Sequence, residues 1–254
     1  METMQLPKFT GAPLIEVPTV ILRANFLTED FGKAVFDEYK ERAKADYGNA
    51  DVLNVLSYSN DVVKGSNPPA VVLMNYVVSQ AGLRTATPAD LERVLRCNVL
   101  PLRGQYEDSA LILRSDRNPN EYLARDLIEQ IKARNPKAKM PLMIPLAGLE
   151  LANDSNSNYG LVFKLKEDAD IIYAPQLVKK NSGKTFSQTD RKGLPILDEE
   201  GNRTLYLWNN SGLSRLYLGG DLGLGVNYFS DDLGLSGGSG RVVCVSGEDG
   251  AKNN

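Results

Sequence analysis

Histidine is missing from all 254 residues. Imidazole is the usual general base near neutral pH and the commonest nitrogen ligand of zinc, copper and iron. Its absence removes the central part of catalytic triads, dyads and most catalytic metal sites. Cysteine occurs only at Cys97 and Cys244. Two are too few for a disulfide framework or a zinc cluster, and a single bridge between them stays open. No apolar run approaches the roughly 20 residues that a membrane span requires, and "PPAVVLMNYVV" is the longest. Basic charge is not in excess either. The formal net charge is -3, whereas a nucleic-acid binder is usually basic, so no nucleic-acid partner is expected. The opening "METMQLPKFTGAPLIEVP" carries acidic and proline residues where a secretory signal has a basic start and an apolar run. Export by that route is not expected, which leaves a cytoplasmic or virion-associated location. These absences shift the expectation toward a binding or structural role without a cofactor or metal, with carboxylate chemistry still allowed.

What is present is ordinary for a globular chain: 42% hydrophobic and 24% charged residues, enough to bury a core without staples. "TEDFGKAVFDEYKERAKADYG" predicts a helix with Thr28 as N-cap, Phe31, Val35, Phe36 and Tyr39 on one face, and Gly48 as its end. "NPPAVVLMNYVVSQAG" fits a buried helix or a strand. "TPADLERVLR" predicts a capped helix with Leu91, Val94 and Leu95 inward. The region 1–105 thus reads as mainly helical, either a separate region or integral to one fold. From Tyr106 the texture changes. "SALILRS" is a short apolar strand, and "NPNEYLARDLIEQIKARNP" is a helix between Pro119 and Pro136 with Leu123, Leu127 and Ile131 inward. "MPLMIPLAGLEL", "YGLVFKLK", "DIIYAP", "RTLYLW" and "GRVVCVS" then read as strands. The expected class is α+β, with 106–254 rich in antiparallel sheet.

Several motifs lack the parts their chemistry needs. "SGKT" at 182–185 is preceded by Val178 where a phosphate loop has glycine, and no helix is expected after it. "GLSGG" at 234–238 has the spacing of a hydrolase nucleophile elbow, but the chain has no base for it. "GGSG" at 237–240 starts like a calcium β-roll repeat without the aspartate or the nine-residue period. "WNN" at 208–210 lacks the upstream triplet that a calcium-dependent sugar site requires. Glu150, Asp154, Glu167, Asp168 and Asp170, with Lys164 and Lys166, are candidates for a metal nuclease centre, but alternating charge on the wet face of strands is the much commoner cause of such a pattern.

The unusual stretch is 209–240. Lys, Glu, Gln, Met and Trp, 41 residues in the whole chain, are absent from it, where about six would be expected at average usage. These five types cannot be reached from an asparagine codon of the form adenine, adenine, pyrimidine by changing its first two bases. The nine types that fill the stretch, Asn, Asp, Ser, Gly, Tyr, Phe, Val, Arg and Leu, all can. Leucines recur between the polar and glycine residues at Leu213, Leu216, Leu218, Leu222, Leu224, Leu233 and Leu235. With Arg215, Arg241, Val242 and Val243 they read as scaffold positions that return side chains to a core. The residues between them then face water, where substitution costs under about 0.5 kcal/mol.

With "SGLSRLYL", the spaced leucines and the closing "GRVVCVS", the tail resembles the variable proteins of diversity-generating retroelements, in particular those of archaea and their viruses. The resemblance covers about the last 45 residues directly, and "GLELANDSNSNYGLVFKLKEDADIIYAP" and "GNRTLYL" less closely. It implies that a reverse transcriptase copies a template, with errors at adenines, into the 3′ end of the gene. It also implies a C-type lectin fold in the C-terminal part that displays the altered residues as a ligand-binding surface. The variable positions it implies are Gly219, Gly220, Asp221, Gly223, Gly225, Val226, Asn227, Tyr228, Phe229, Ser230, Asp231, Asp232, Gly234, Ser236, Gly237, Gly238 and Ser239. Many bacterial and phage members carry a Gly-Gly-Ser-Trp type segment where this chain has "NNSGLSRLYL".

Tyr228 and Phe229 are the expected hot spots, with Asp221, Asp231 and Asp232 giving an acidic character. In the alternative, the two aromatics plug a local core. The expected function is non-catalytic binding of a protein or glycan, with region 1–105 a candidate for attachment to a larger particle. The alternatives are a structural or adhesive β-rich protein, and a carboxylate-dependent metal hydrolase.

Overall fold

The computed structural model describes residues 23–48, 50–226 and 232–246. In chain order the elements are β1 (Ala24–Phe26), α1 (Glu29–Tyr47), β2 (Ser57–Ser59), β3 (Val62–Lys64), α2 (Pro68–Ser79), β4 (Leu83–Thr85), α3 (Pro88–Cys97), β5 (Tyr106–Leu113), α4 (Glu121–Arg134), β6 (Leu142–Pro145), β7 (Leu149–Asn153), β8 (Leu161–Leu165), β9 (Ile172–Tyr173), β10 (Thr185–Thr189), β11 (Pro195–Leu197), β12 (Arg203–Leu207), β13 (Leu213–Leu218), β14 (Leu224–Val226), β15 (Gly240–Arg241) and β16 (Val243–Ser246). The class is mixed α+β, and the main sheet curls into a half-barrel.

Local chemistry accounts for the helices. Asn67 caps α2 by accepting from the Ala70 N–H at 2.7 Å, and Pro68 and Pro69 follow it. This segment, open between helix and strand in the sequence, is therefore a helix. Apolar residues lie on most of its sides because all of it but Tyr76 and Ser79 is buried in the molecule. Thr87 and Asp90 form a reciprocal capping box at the start of α3. In α1 the buried face is Gly32, Val35, Tyr39 and Ala43, which corrects the expected inward Phe31, 47% exposed. Gly32 faces inward because a Cβ there would meet the Leu27 carbonyl carbon at 2.4 Å. Gly48 ends the helix in the left-handed conformation.

The main sheet runs β11-β10-β12-β14-β13-β5-β6-β9, and β15 lies along β5 beside Tyr106 and Glu107. Most pairs are antiparallel, but β12 with β14 and β15 with β5 are parallel. The β10–β11 hairpin, absent from the sequence expectation, occupies one edge. A second sheet has β16 between β1 and β4, all antiparallel. Strands from before and after residue 105 therefore share one sheet, and the described part of region 1–105, from residue 23 on, is integral to the fold.

Along residues 110–113 of β5 both faces of the main sheet are covered. On β5, Leu111 and Leu113 enter a core with α1, α2 and α4. Ala110 and Ile112 enter a second core with Leu91 and Val94 of α3. The same alternation orders the three strands that position the site. Leu205 and Leu207 of β12, Leu216 and Leu218 of β13, and Leu224 and Val226 of β14 all fill the second core. Tyr206, Arg215, Tyr217 and Gly225, one residue out of phase, take the opposite face.

Candidate functional site

That opposite face forms the floor of a cleft of about 590 Å³. Tyr217 and Tyr206 stand directly across from Gly225 on the two strands that flank it. Their rings lie over glycine: a Cβ on Gly225 would meet Tyr217 Cζ at 2.3 Å, and one on Gly223 would meet Tyr206 Cε2 at 2.8 Å. Small residues in a row thus let large neighbours lie flat, which makes a smooth aromatic floor.

Tyr106 of β5 completes the floor, edge-on to Tyr217 with centroids 6.1 Å apart. The Arg215 guanidinium sits 5.7 Å from both ring centroids and is buried. Its Nε donates to Asp108 Oδ1 at 2.6 Å, one Nη donates to the other carboxylate oxygen, and the second Nη donates to the Leu235 carbonyl at 2.7 Å. Burial alone would lower the Arg215 pKa, but Asp108 beside it holds the charge in place and raises it. Ser66 Oγ donates to Asp108 Oδ2 at 2.8 Å, so the buried carboxylate is fully occupied.

Two chain segments wall the cleft. The first, 219–225, is a turn running into β14. Gly219 N–H donates to the Gly223 carbonyl at 2.7 Å, and Asp221 accepts from the Gly223 N–H at 2.9 Å and from the Tyr206 hydroxyl at 2.8 Å. Arg203, itself paired with buried Glu92, donates to the Leu222 carbonyl at 2.6 Å. Leu222 stands at φ 70° in this turn and packs against the second core.

The second wall, 235–239, is held entirely by residues outside it. Ser66 N–H reaches Ser236 Oγ at 2.8 Å, Tyr106 Oη accepts from the Gly237 N–H at 2.6 Å, and Arg241 donates to the Gly238 carbonyl at 3.0 Å. Just before it, Asn67 donates to the Gly234 carbonyl at 2.8 Å, and Tyr159 donates to Asp232 at 3.0 Å. Burial, then Asp232 against the opposing pull of the Leu233 N–H, raises the pKa of the Tyr159 hydroxyl.

Of the expected variable residues, Gly219, Gly220, Asp221, Gly223, Gly225, Ser236, Gly237 and Ser239 line this one cleft. Gly238 is exposed at its edge, while Asp232 and Gly234 sit on the approach to the second wall. Asn227, Tyr228, Phe229, Ser230 and Asp231 lie outside the described residues. Val226 is a correction: strand parity after Gly225 turns it into the second core, where it is 0% exposed. Of the scaffold residues, Leu213, Arg215, Leu216, Leu218, Leu224, Leu233, Val242 and Val243 are buried, and Leu222 and Arg241 are half-buried. Leu235 is the second correction. It is 51% exposed and lines the cleft instead of anchoring it. Tyr106, Tyr206 and Tyr217 were missed, although the alternation in "RTLYL" and "RLYL" carries the signal of Tyr206 and Tyr217.

The other candidates stay apart. Glu150 pairs across strands with Lys164, Asp154 accepts from Tyr122, and Asp170 meets Lys192. Glu167 and Asp168 are exposed. Among the described residues no three His, Cys, Asp or Glu side chains converge as a metal site. The amide side chains of Asn209 and Asn210 accept from Arg114 and from the Lys179 N–H, and Ser182–Thr185 leads into β10, not into a helix. Cys97 is exposed, and both cysteines are free. No helix among the described residues is long and apolar enough to cross a membrane. No protein-family model, curated protein or solved structure matches this chain.

Proposed function

We propose that the protein is a non-catalytic binding protein that takes its ligand in the tyrosine-floored cleft, and that the cleft walls are the part diversified by adenine-directed mutagenesis. A single observation carries this reading: the residues that the tail's composition and leucine spacing single out come from two separate segments, yet they surround one opening. The backbone support of the second wall and its approach comes from Asn67, Tyr106, Tyr159, Arg215 and Arg241, whereas Ser66 bonds the hydroxyl of Ser236 itself. All but Arg215 lie outside the composition-biased stretch or beyond its end, so side chains on the wall can change while its tethers persist. The resemblance assigns the C-type lectin fold to this part of the chain, and the α+β class with a curled sheet is compatible with that assignment.

The test is genetic. A near-copy of the segment coding for 209–247 is expected in flanking DNA, with adenines at the mismatched positions and a reverse-transcriptase gene beside it. Flanking sequence without such a copy overturns the diversification. The second reading, a structural or adhesive protein, draws on Gly223 and Gly225, whose place under the tyrosine rings is a packing role. Substitution of cleft residues that leaves every ligand interaction unchanged would favour it.

A further inference from the structure

Resting on the assignment of the cleft as the binding site, we propose that its occupant is a cationic side chain, a lysine or arginine presented by a protein partner. Cleft volumes near 600 Å³ suit a side chain or small molecule better than a flat surface, and this one holds about 590 Å³. Its apolar lining is the three tyrosine rings and Leu235, and much of the remainder is glycine backbone.

Among the described residues two ionised groups line it, Arg215 and Asp221. Arg215 is neutralised by Asp108 and bound to two backbone carbonyls, those of Leu235 and Ser66. Asp221 is exposed and, among the described residues, has no ion-pair partner; its oxygens accept only the Tyr206 hydroxyl and the Gly223 N–H. The uncompensated charge of the cleft is therefore negative, and it stands against an aromatic ring. A phenol that donates its proton toward a carboxylate has an electron-rich face, and electron-rich faces beside a carboxylate attract organic cations. Anionic ligands meet the opposite: Asp221 repels them, and no free cation in the lining receives them.

The experiment titrates the full-length protein with N-acetyl-arginine amide, N-acetyl-lysine amide, their neutral counterparts N-acetyl-citrulline amide and N-acetyl-norleucine amide, and N-acetyl-glutamate amide. Amide shifts of Gly219, Gly220, Gly225 and Gly237 are followed by NMR. Saturable shifts are expected with the two cations. Asp221→Asn, which keeps the oxygen that accepts the Gly223 N–H, is expected to weaken them about fivefold, the upper range for a partly exposed charge pair. Citrulline or glutamate binding as well as arginine overturns the cationic class and leaves the cleft as a binding site. A cleft that responds to none of these amides, nor to a panel of neutral sugars, overturns both. Equal response to free tetramethylammonium and to the amino-acid cations overturns the protein-borne source.

Discussion

The two walls of the cleft share a composition but not a mechanical situation. Gly223 and Gly225 have no room for a Cβ: at Gly225 it would meet the Tyr217 ring at 2.3 Å, and at Gly223 the Thr204 carbonyl oxygen at 2.6 Å and the Tyr206 ring at 2.8 Å. Gly237 would place a Cβ 3.8 Å from Tyr106, and nothing lies within 4 Å of one on Gly238. In the first wall glycine is a packing partner; in the second it is one choice among many. A glycine-rich stretch is thus two kinds of surface, and cross-strand register decides which.

The comparison can be broken most severely at the tether of the second wall. Asp108→Asn leaves the buried Arg215 charge unbalanced, and removal of one member of a buried pair costs about 3–5 kcal/mol. Chemical denaturation should show that loss, together with increased hydrogen exchange at Gly237. Next is the packed glycine. Gly225→Ala is expected to cost about 1–3 kcal/mol through overpacking against Tyr217, read as a lower Tm. Most of that is recovered if Tyr217→Ala is added, because the two residues touch.

A third test moves to the far side of β5. Glu107 is buried with Oε1 lacking a partner. Burial first, and Asp108 second, push its carboxyl well above the usual carboxylate range. A raised acid contributes stability that is fully present below its unfolded value and lost as pH rises through the folded one. The native protein should therefore weaken as pH rises above the ordinary carboxylate range. Glu107→Gln should flatten that slope in urea midpoints, and an unchanged slope would exclude Glu107 as its source. The smallest effect belongs to the open wall. Gly238→Ser should stay within about 0.5 kcal/mol of the parent, measured by the same thermal melt.

Much of this architecture was legible in the chain. The Thr87 cap, the Leu123, Leu127 and Ile131 stripe, and the leucines of the tail other than Leu235 are local signals, and each lies where its spacing implied. What was not legible depends on partners far away in sequence. Gly225 sits between Tyr206 and Tyr217 only because β12 pairs in parallel with β14, and nothing in "LGLGV" announces that pairing. Val226 and Leu235 were misplaced for the same reason. A leucine or valine in an irregular stretch shows its hydrophobicity, but not which side of the strand it occupies. Phe31 likewise gave way to Gly32, whose close approach to Leu27 is a tertiary fact.

The last strand among the described residues is also the middle one of its sheet. β16 joins β1 to β4, so a polypeptide that stops anywhere short of Val243 leaves two widely separated strands with bare edges and no means of closing the sheet. The sheet is closed by Val243–Ser246, the strand that comes last among the described residues. A prematurely terminated copy cannot pass as a finished one, and bare strand edges of this kind expose it to aggregation and degradation.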